Sequence, residues 1–222
     1  MSIVAKGGEK SSSFPSVSVG VHKSRCIKVI DLGTQKNEFE GNITWKRQAL
    51  VIWEVPDQTN ETSEPLTISR FYTLSLHEKS NLGIDLTSWR GRPFSETEKK
   101  GFDISKLIGH TCLLNVIQGN KNNKIGSIMP LPKGDKIAEQ YHTGVVFDLE
   151  KMSIKTTYVE GPLKDLATIW EFKNLKKNKS KILFKVKFEF KNFFHQKIAE
   201  LFFPLVESKM IKSFIERADK TL

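Results

Sequence analysis

The segment KILFKVKFEF, residues 181–190, alternates apolar and polar residues except at Leu183. Neighbouring side chains of a strand point to opposite faces of a sheet, so this pattern predicts a strand with one apolar face and one charged face. The apolar face would carry Ile182, Phe184, Val186, Phe188 and Phe190, and the charged face Lys185, Lys187 and Glu189. A sheet face this rich in phenylalanine has to pack against another element of the fold.

The sequence around this strand predicts a small α+β unit. Before it we predict a strand at 153–161, a turn at 161–166, a strand at 167–175 and a polar hairpin turn at 176–180. After it, apolar residues fall near helical spacing, which predicts a long C-terminal helix over 192–222 with a kink at Pro204. The unit is therefore three antiparallel strands closed by one helix.

The first 150 residues have mostly the sequence patterns of β-strands, with helical insertions. We predict a flexible tail over 1–16, a polar loop at 56–65, and strands or hairpins at 26–33, 49–55, 68–76, 111–119 and 121–134. Helical spacing covers 80–90, and Ser95 with Glu98 forms a capping-box pattern. This order of elements predicts a small, five-stranded barrel-like domain.

The net positive charge is distributed unevenly along the chain. The formal net charge is +10, which indicates an anionic partner such as nucleic acid, ribosome or membrane surface. Residues 1–150 contribute +2 of this charge and residues 151–222 contribute +8. Two cysteines and no visible secretory signal or membrane-spanning segment predict a reduced, cytoplasmic protein without integral membrane association.

Four blocks in the first segment carry a family resemblance: GVHKSRCIKVIDLGTQ, FYTLSLHEKSNLGIDLTSWRGRPFSETE, GFDISKLIGHTCLL and PLPKG. Over residues 17–150 they resemble phage and prophage proteins of the OB-fold, single-stranded-DNA-binding-like kind. The resemblance implies an OB-like barrel that binds single-stranded DNA through aromatic and cationic side chains. The candidates are Trp45, Lys46, Arg47, Arg70, Phe71, Tyr72, Trp89, Arg90 and Arg92.

Each aromatic candidate has an alternative role in the core. An aromatic residue on a barrel strand is more often packed inside than presented to a base, and for Tyr72 we favour the core. The WRGR motif at 89–92 is the strongest nucleic-acid candidate, because two arginines flank a glycine beside a tryptophan at a predicted helix end.

The last segment resembles a second family. GPLKDL, the W-x-F strand, the F-x-F strand and the helix end with E-R-A over about 152–222 are similar to the C-terminal half of the RatA/Coq10 family. This START-like, helix-grip family includes the ribosome association toxin RatA and coenzyme Q (ubiquinone)-binding proteins. The resemblance implies an apolar ligand pocket or a large-ribosomal-subunit partner. We assign the pocket to Trp170, Phe172, Phe184, Phe188, Phe202 and Phe214.

The N-terminal helix and early strands of the helix-grip fold have no counterpart in this sequence. We therefore predict a fusion of a phage-type OB-like domain, residues 17–150, with an incomplete START-like unit, residues 151–222, joined near 140–153. A helix-grip unit cut to three strands and a helix would leave part of its apolar faces uncovered.

No motif in the sequence points to catalysis or to a metal. The five histidines lack metal-ligand spacing, no nucleophile or phosphate-loop motif occurs, and Glu96 and Glu98 have the pattern of solvated acids. We expect a non-enzymatic binding protein without a cofactor, apart from a ubiquinone-like lipid as ligand. Three hypotheses stay open: ribosome or quinone-like ligand binding, single-stranded DNA binding, and an inactive fusion relic.

Overall fold

The computed structural model describes residues 15–158, 163–176, 179–190, 207–209, 211–213 and 215–216. Nine strands dominate these residues, with two short helices and one 3-10 turn between the third and fourth strands. The first three strands are β1 (Gly20–Phe39), β2 (Asn42–Thr59) and β3 (Pro65–Thr73). They are followed by α1 (Asn81–Arg90), α2 (Glu96–Lys99), the 3-10 turn Ile104–Leu107, β4 (Thr111–Ile117) and β5 (Lys124–Met129). The last four are β6 (Gly144–Asp148), β7 (Ser153–Tyr158), β8 (Leu163–Lys176) and β9 (Lys179–Phe190).

The long hairpin of β1 and β2 turns at two residues. Glu40 and Gly41 both have positive φ, 49° and 77°. A two-residue loop with this backbone matches the right-handed twist of the flanking strands, and a glycine tolerates it without steric cost. The hairpin therefore extends as a ribbon whose far end, residues 42–47, is exposed.

One edge of β1 holds two different neighbours. Its first part, Gly20 to Arg25, pairs with β4, and β4 pairs with β5. Its middle, Lys28 to Ile30, pairs in parallel with β6. From there the sheet runs through β7, β8 and β9, giving the order β3-β2-β1-β6-β7-β8-β9. The two predicted segments thus share one continuous sheet.

The core lies between β1–β5 and α1. Trp53 is its largest fully buried side chain, and its ring packs against Tyr72 at 6.5 Å and Trp89 at 6.1 Å between centroids. Cys26 and Cys112 are free thiols in this core, and burial raises the pKa of both. They pack as small apolar residues rather than as reactive groups.

Several predicted elements occur where the sequence placed them. Helix α1 begins after Ser80, whose hydroxyl accepts the backbone N–H of Gly83, and Ser95 with Glu98 forms the predicted capping box. Strands β7, β8 and β9 form the predicted antiparallel meander. The described residues between 207 and 216 are helical, and the remainder of the predicted helix over 192–222 lies outside the described residues.

Two local predictions were wrong, and one strand was not predicted at all. The polar loop predicted at 56–65 is shorter, because β2 continues through a bulge to Thr59 before the chain turns. The predicted turn at 161–166 already belongs to β8 from Leu163 onward. Strand β6 was not predicted, since five residues next to a long irregular stretch carry little periodic signal.

The strand order of the first segment is open rather than closed by hydrogen bonds. Pairing runs β5-β4-β1-β2-β3, and α1 connects β3 to β4. Strands β3 and β5 approach each other, but no backbone ladder joins these two described strands. The described residues are mostly β, and the sheet that they form is not a fully hydrogen-bonded ring.

Candidate functional site

A row of apolar side chains crosses the continuous sheet. Each residue of the row is the direct cross-strand partner of the next, so all of them lie on one face. In order from β3 to β9 the row is Phe71, Leu50, Ile30, Phe147, Ile154, Trp170 and Phe184. Phe71 at one end is 62% exposed, and the six others are half-buried.

The aromatic residues concentrate where β8 meets β9. Trp170 and Phe184 stack with ring centroids 4.1 Å apart and planes tilted by 34°. Phe172 pairs with Ile182 on one side of this stack, and Leu166 pairs with Phe188 farther along the other side. We call the Trp170–Phe184 pair with Phe172 and Phe188 the aromatic face.

The aromatic face unites four of the six residues that the sequence assigned to a ligand pocket. Trp170, Phe172, Phe184 and Phe188 are all half-buried and lie on the same side of two adjacent strands. Phe202 and Phe214 lie outside the described residues. Half-buried aromatic side chains on one side of a sheet provide an apolar surface for a ligand.

The opposite side of the same strands is charged. Lys185 donates to Glu171 across the strands at 3.2 Å, and Lys173 lies 4.0 Å from the other carboxylate oxygen of Glu171. The alternation in β9 therefore separates an aromatic side from a lysine-rich side, as the sequence predicted.

A cavity of about 450 Å³ lies where β6 joins the first segment. Its apolar lining includes Val29, Ala49 and Val146, and its rim includes Asp31, Arg47 and Glu150. The Arg47 guanidinium bridges the two rim acids, with Nη2 2.6 Å from Asp31 Oδ2 and Nη1 3.0 Å from Glu150 Oε2. Partial burial favours a higher pKa for Asp31, but its hydrogen bonds from Arg47 and from the Gly33 N–H outweigh burial and lower that pKa.

The Arg47 side chain is therefore held in an ion-pair network, whereas the next side chain on the same face of β2, that of Trp45, is exposed to solvent. Trp45 lies two residues away on β2 and is 67% exposed. Lys36 is its cross-strand partner on β1, and Lys46 follows it in the chain and is also exposed. The ribbon end thus presents one aromatic ring with cations close by.

Arg70 and Tyr72, two further nucleic-acid candidates, meet a partner that the sequence did not reveal. The Tyr72 hydroxyl donates to Asp85 Oδ2 at 2.6 Å, and Arg70 Nη1 lies 2.9 Å from the same oxygen. Tyr72 is 2% exposed, as the core alternative predicted, so its ring is not presented to solvent. Burial raises the pKa of Asp85 despite these two partners.

The WRGR motif is divided between core and surface. Trp89 is buried and donates its indole N–H to the Thr111 carbonyl at 2.8 Å. Arg90 forms an ion pair with Glu98 and lies 4.1 Å above the Phe94 ring. Arg92 is 59% exposed and also binds Glu98, at 2.9 Å.

The backbone conformation of Gly91 and the contacts of the Glu98 carboxylate explain how the WRGR motif is arranged. Gly91 ends α1 with φ 65°, a left-handed conformation that suits glycine. Hydrogen bonds from Arg92 and from the Ser95 N–H lower the pKa of Glu98 to about 2. The prediction that Glu98 is merely solvated was therefore wrong, since its carboxylate ties the end of α1 to the start of α2.

A buried carboxylate that the sequence did not single out anchors the start of β6. Glu54 is fully buried, and its Oε2 accepts the backbone N–H groups of Tyr141 at 3.3 Å and His142 at 3.0 Å. The His142 Nδ1 is 3.1 Å from that oxygen, and Arg25 Nη1 is 3.3 Å from Oε1. Its signal in the sequence was weak: a single acid within the apolar run 49–55.

Residues 134–215 match the family described as polyketide cyclase / dehydrase and lipid transport. This match supports the resemblance of the C-terminal part to START-like proteins, and it begins upstream of β6. No curated protein matches the chain. Within the described residues, no group of three or more His, Cys, Asp or Glu side chains is placed to hold a metal, and no helix is long and apolar enough to cross a membrane.

Proposed function

We propose that this protein is a non-enzymatic binding protein whose C-terminal sheet holds an apolar, quinone-like lipid on its aromatic face. The stacked pair Trp170 and Phe184 is the observation that carries the proposal. Both residues lie inside the range that matches the family described as polyketide cyclase / dehydrase and lipid transport. A planar quinone head can pack against the outer faces and edges of these aromatic rings, and an isoprenoid tail gains free energy from contact with apolar side chains.

The apolar row gives the ligand more room than the aromatic face alone. Ile154 and Phe147 continue from Trp170 toward the first segment on the same side of the sheet. A ligand with a long tail can follow this row across several strands, which lie about 4.8 Å apart. The first segment would then form part of the binding surface, and the chain would work as one unit.

Equilibrium dialysis with decylubiquinone tests this function. We expect saturable binding that weakens at least about ten-fold in the double variant Trp170→Ala, Phe184→Ala, because two ring contacts of about 0.5–1.5 kcal/mol each are lost with their apolar area. Trp45→Ala, which removes an exposed tryptophan elsewhere, is the matched control. Trp170→Leu removes the ring but keeps an apolar side chain, and it serves if the double variant loses its circular dichroism signal. Equal binding by all folded variants, or no saturation, would contradict the proposal.

A second function, single-stranded DNA binding, is supported by Trp45. Its exposed ring beside Lys36 and Lys46 has the composition of a base-stacking platform. The strand order β5-β4-β1-β2-β3 with a helix before β4 also supports an OB-like origin for the first segment. The large ribosomal subunit stays a predicted partner of the C-terminal part.

Fluorescence anisotropy with a labelled oligothymidylate tests this second function. Binding should weaken with salt, and Trp45→Ala should weaken it by roughly 5- to 100-fold, the range of one base–aromatic stack. Ile84→Ala removes a comparably exposed apolar side chain on α1 and should leave binding unchanged. If Trp45→Ala binds like the unaltered protein, the ribbon is not a stacking platform.

A further inference from the structure

The end of the β8–β9 hairpin, residues 172–182, exposes two large aliphatic side chains. Leu175 is 58% exposed in a bulge of β8, and Ile182 is 56% exposed on β9. Aliphatic side chains that are exposed beside several lysines can be buried where the surface touches hydrocarbon.

The same end of the hairpin concentrates positive charge. Residues 172–182 contain five lysines and no acidic residue. Lys173 and Lys181 are both exposed and are direct cross-strand partners, an arrangement of like charges that costs stability in a sheet. A polyanionic surface close to both side chains would relieve this repulsion.

We infer that the hairpin end docks on the surface of an anionic lipid bilayer. Lysines near such a surface are attracted by its negative potential, while Leu175 and Ile182 can enter the boundary between headgroups and acyl chains. A nucleic acid would satisfy the lysines but would leave both aliphatic side chains in water. The exposed aliphatic pair therefore favours a bilayer.

The docked hairpin would place the aromatic face next to the membrane. Ile182 pairs with Phe172, and the next pair along the same face is Trp170 with Phe184. A lipid that leaves the bilayer at the hairpin end would meet apolar side chains from Ile182 onward. The docking extends the proposed lipid binding, and its functional meaning rests on that proposal. The contact with the bilayer does not itself require a bound ligand.

Co-sedimentation with vesicles tests the docking. We expect binding to vesicles of 70% phosphatidylcholine and 30% phosphatidylserine, and little binding to pure phosphatidylcholine. Lys173→Gln with Lys181→Gln should weaken binding about 10- to 30-fold, and Leu175→Ser with Ile182→Ser should weaken it about ten-fold. Lys100→Gln with Lys121→Gln, and Val21→Ser with Ile84→Ser, are matched pairs of exposed residues elsewhere and should have no effect.

The vesicle and ligand measurements test the docking and the proposed function separately. If the aliphatic double variant binds vesicles normally, while the lysine double variant loses binding to polyuridylate in fluorescence anisotropy, the hairpin end is a nucleic-acid surface and does not dock on a bilayer. Vesicle binding without decylubiquinone binding would overturn the proposed function but not the docking. Decylubiquinone binding with no preference for anionic vesicles would overturn the docking alone.

Discussion

Replacing Glu54 with glutamine is expected to lower the free energy of unfolding by about 3 kcal/mol, among the largest effects of any isosteric change in this protein. The carboxylate is fully buried and is surrounded by donors alone: two backbone N–H groups, the guanidinium of Arg25 and the ring of His142. A glutamine has one acceptor oxygen and one donor NH₂ group. Its NH₂ group must therefore face another donor, and Arg25 loses its counter-charge.

Urea unfolding followed by circular dichroism measures this effect. Glu61→Gln, an exposed glutamate in the turn after β2, is the control and should change the free energy of unfolding by less than about 0.5 kcal/mol. Because Glu54 holds the chain just before β6, we also expect the variant to expose residues 138–142 to protease earlier than the rest. A loss under about 1 kcal/mol would mean that these contacts are not formed in solution.

Replacing Asp85 with asparagine is expected to cost about 3 kcal/mol for a related reason. Asp85 is 4% exposed, and its carboxylate binds both the Tyr72 hydroxyl and Arg70. Asparagine can still accept from Tyr72, but it leaves the Arg70 cation, whose side chain is 22% exposed, without a counter-charge. Thermal and urea unfolding measure the loss, and Asp57→Asn on the exposed part of β2 is the matched control.

The Asp85 variant also decides between two roles for Arg70. If Arg70 serves the core, Asp85→Asn lowers stability, and oligonucleotide binding by the protein that remains folded is unchanged. If Arg70 serves nucleic acid, releasing it from Asp85 should strengthen oligonucleotide binding and leave stability almost unaltered. The buried Tyr72–Asp85 hydrogen bond supports the first result.

Local patterns predicted local structure well. The capping box at Ser95, the helical spacing over 80–90 and the alternation of 181–190 each depend on side chains within a few residues, and each element lies where it was expected. The aromatic face could be foreseen in the same way, because Phe184 and Phe188 must share a side of one strand. The pairing of Phe184 with Trp170 then followed from the short hairpin.

Long-range partners were not predictable from such patterns. The residues around Arg70 in the sequence do not predict its ion pair with Asp85. Those around Glu54 do not predict its contact with His142, which is 88 residues away. The WRGR motif shows the same limit. Its composition suits a nucleic-acid site, but Trp89 packs into the core and both arginines bind Glu98.

The sequence by itself determined which side of β9 is apolar and placed most of the positive charge in the last segment, because side-chain alternation and composition are local properties. The tertiary structure alone decided that the two segments share one sheet. The parallel pairing of β6 with β1 brings Phe147 beside Ile30 across more than a hundred residues. Parallel pairing needs a long crossover and leaves no local signature, so the apolar row that joins both segments emerges only in the folded chain.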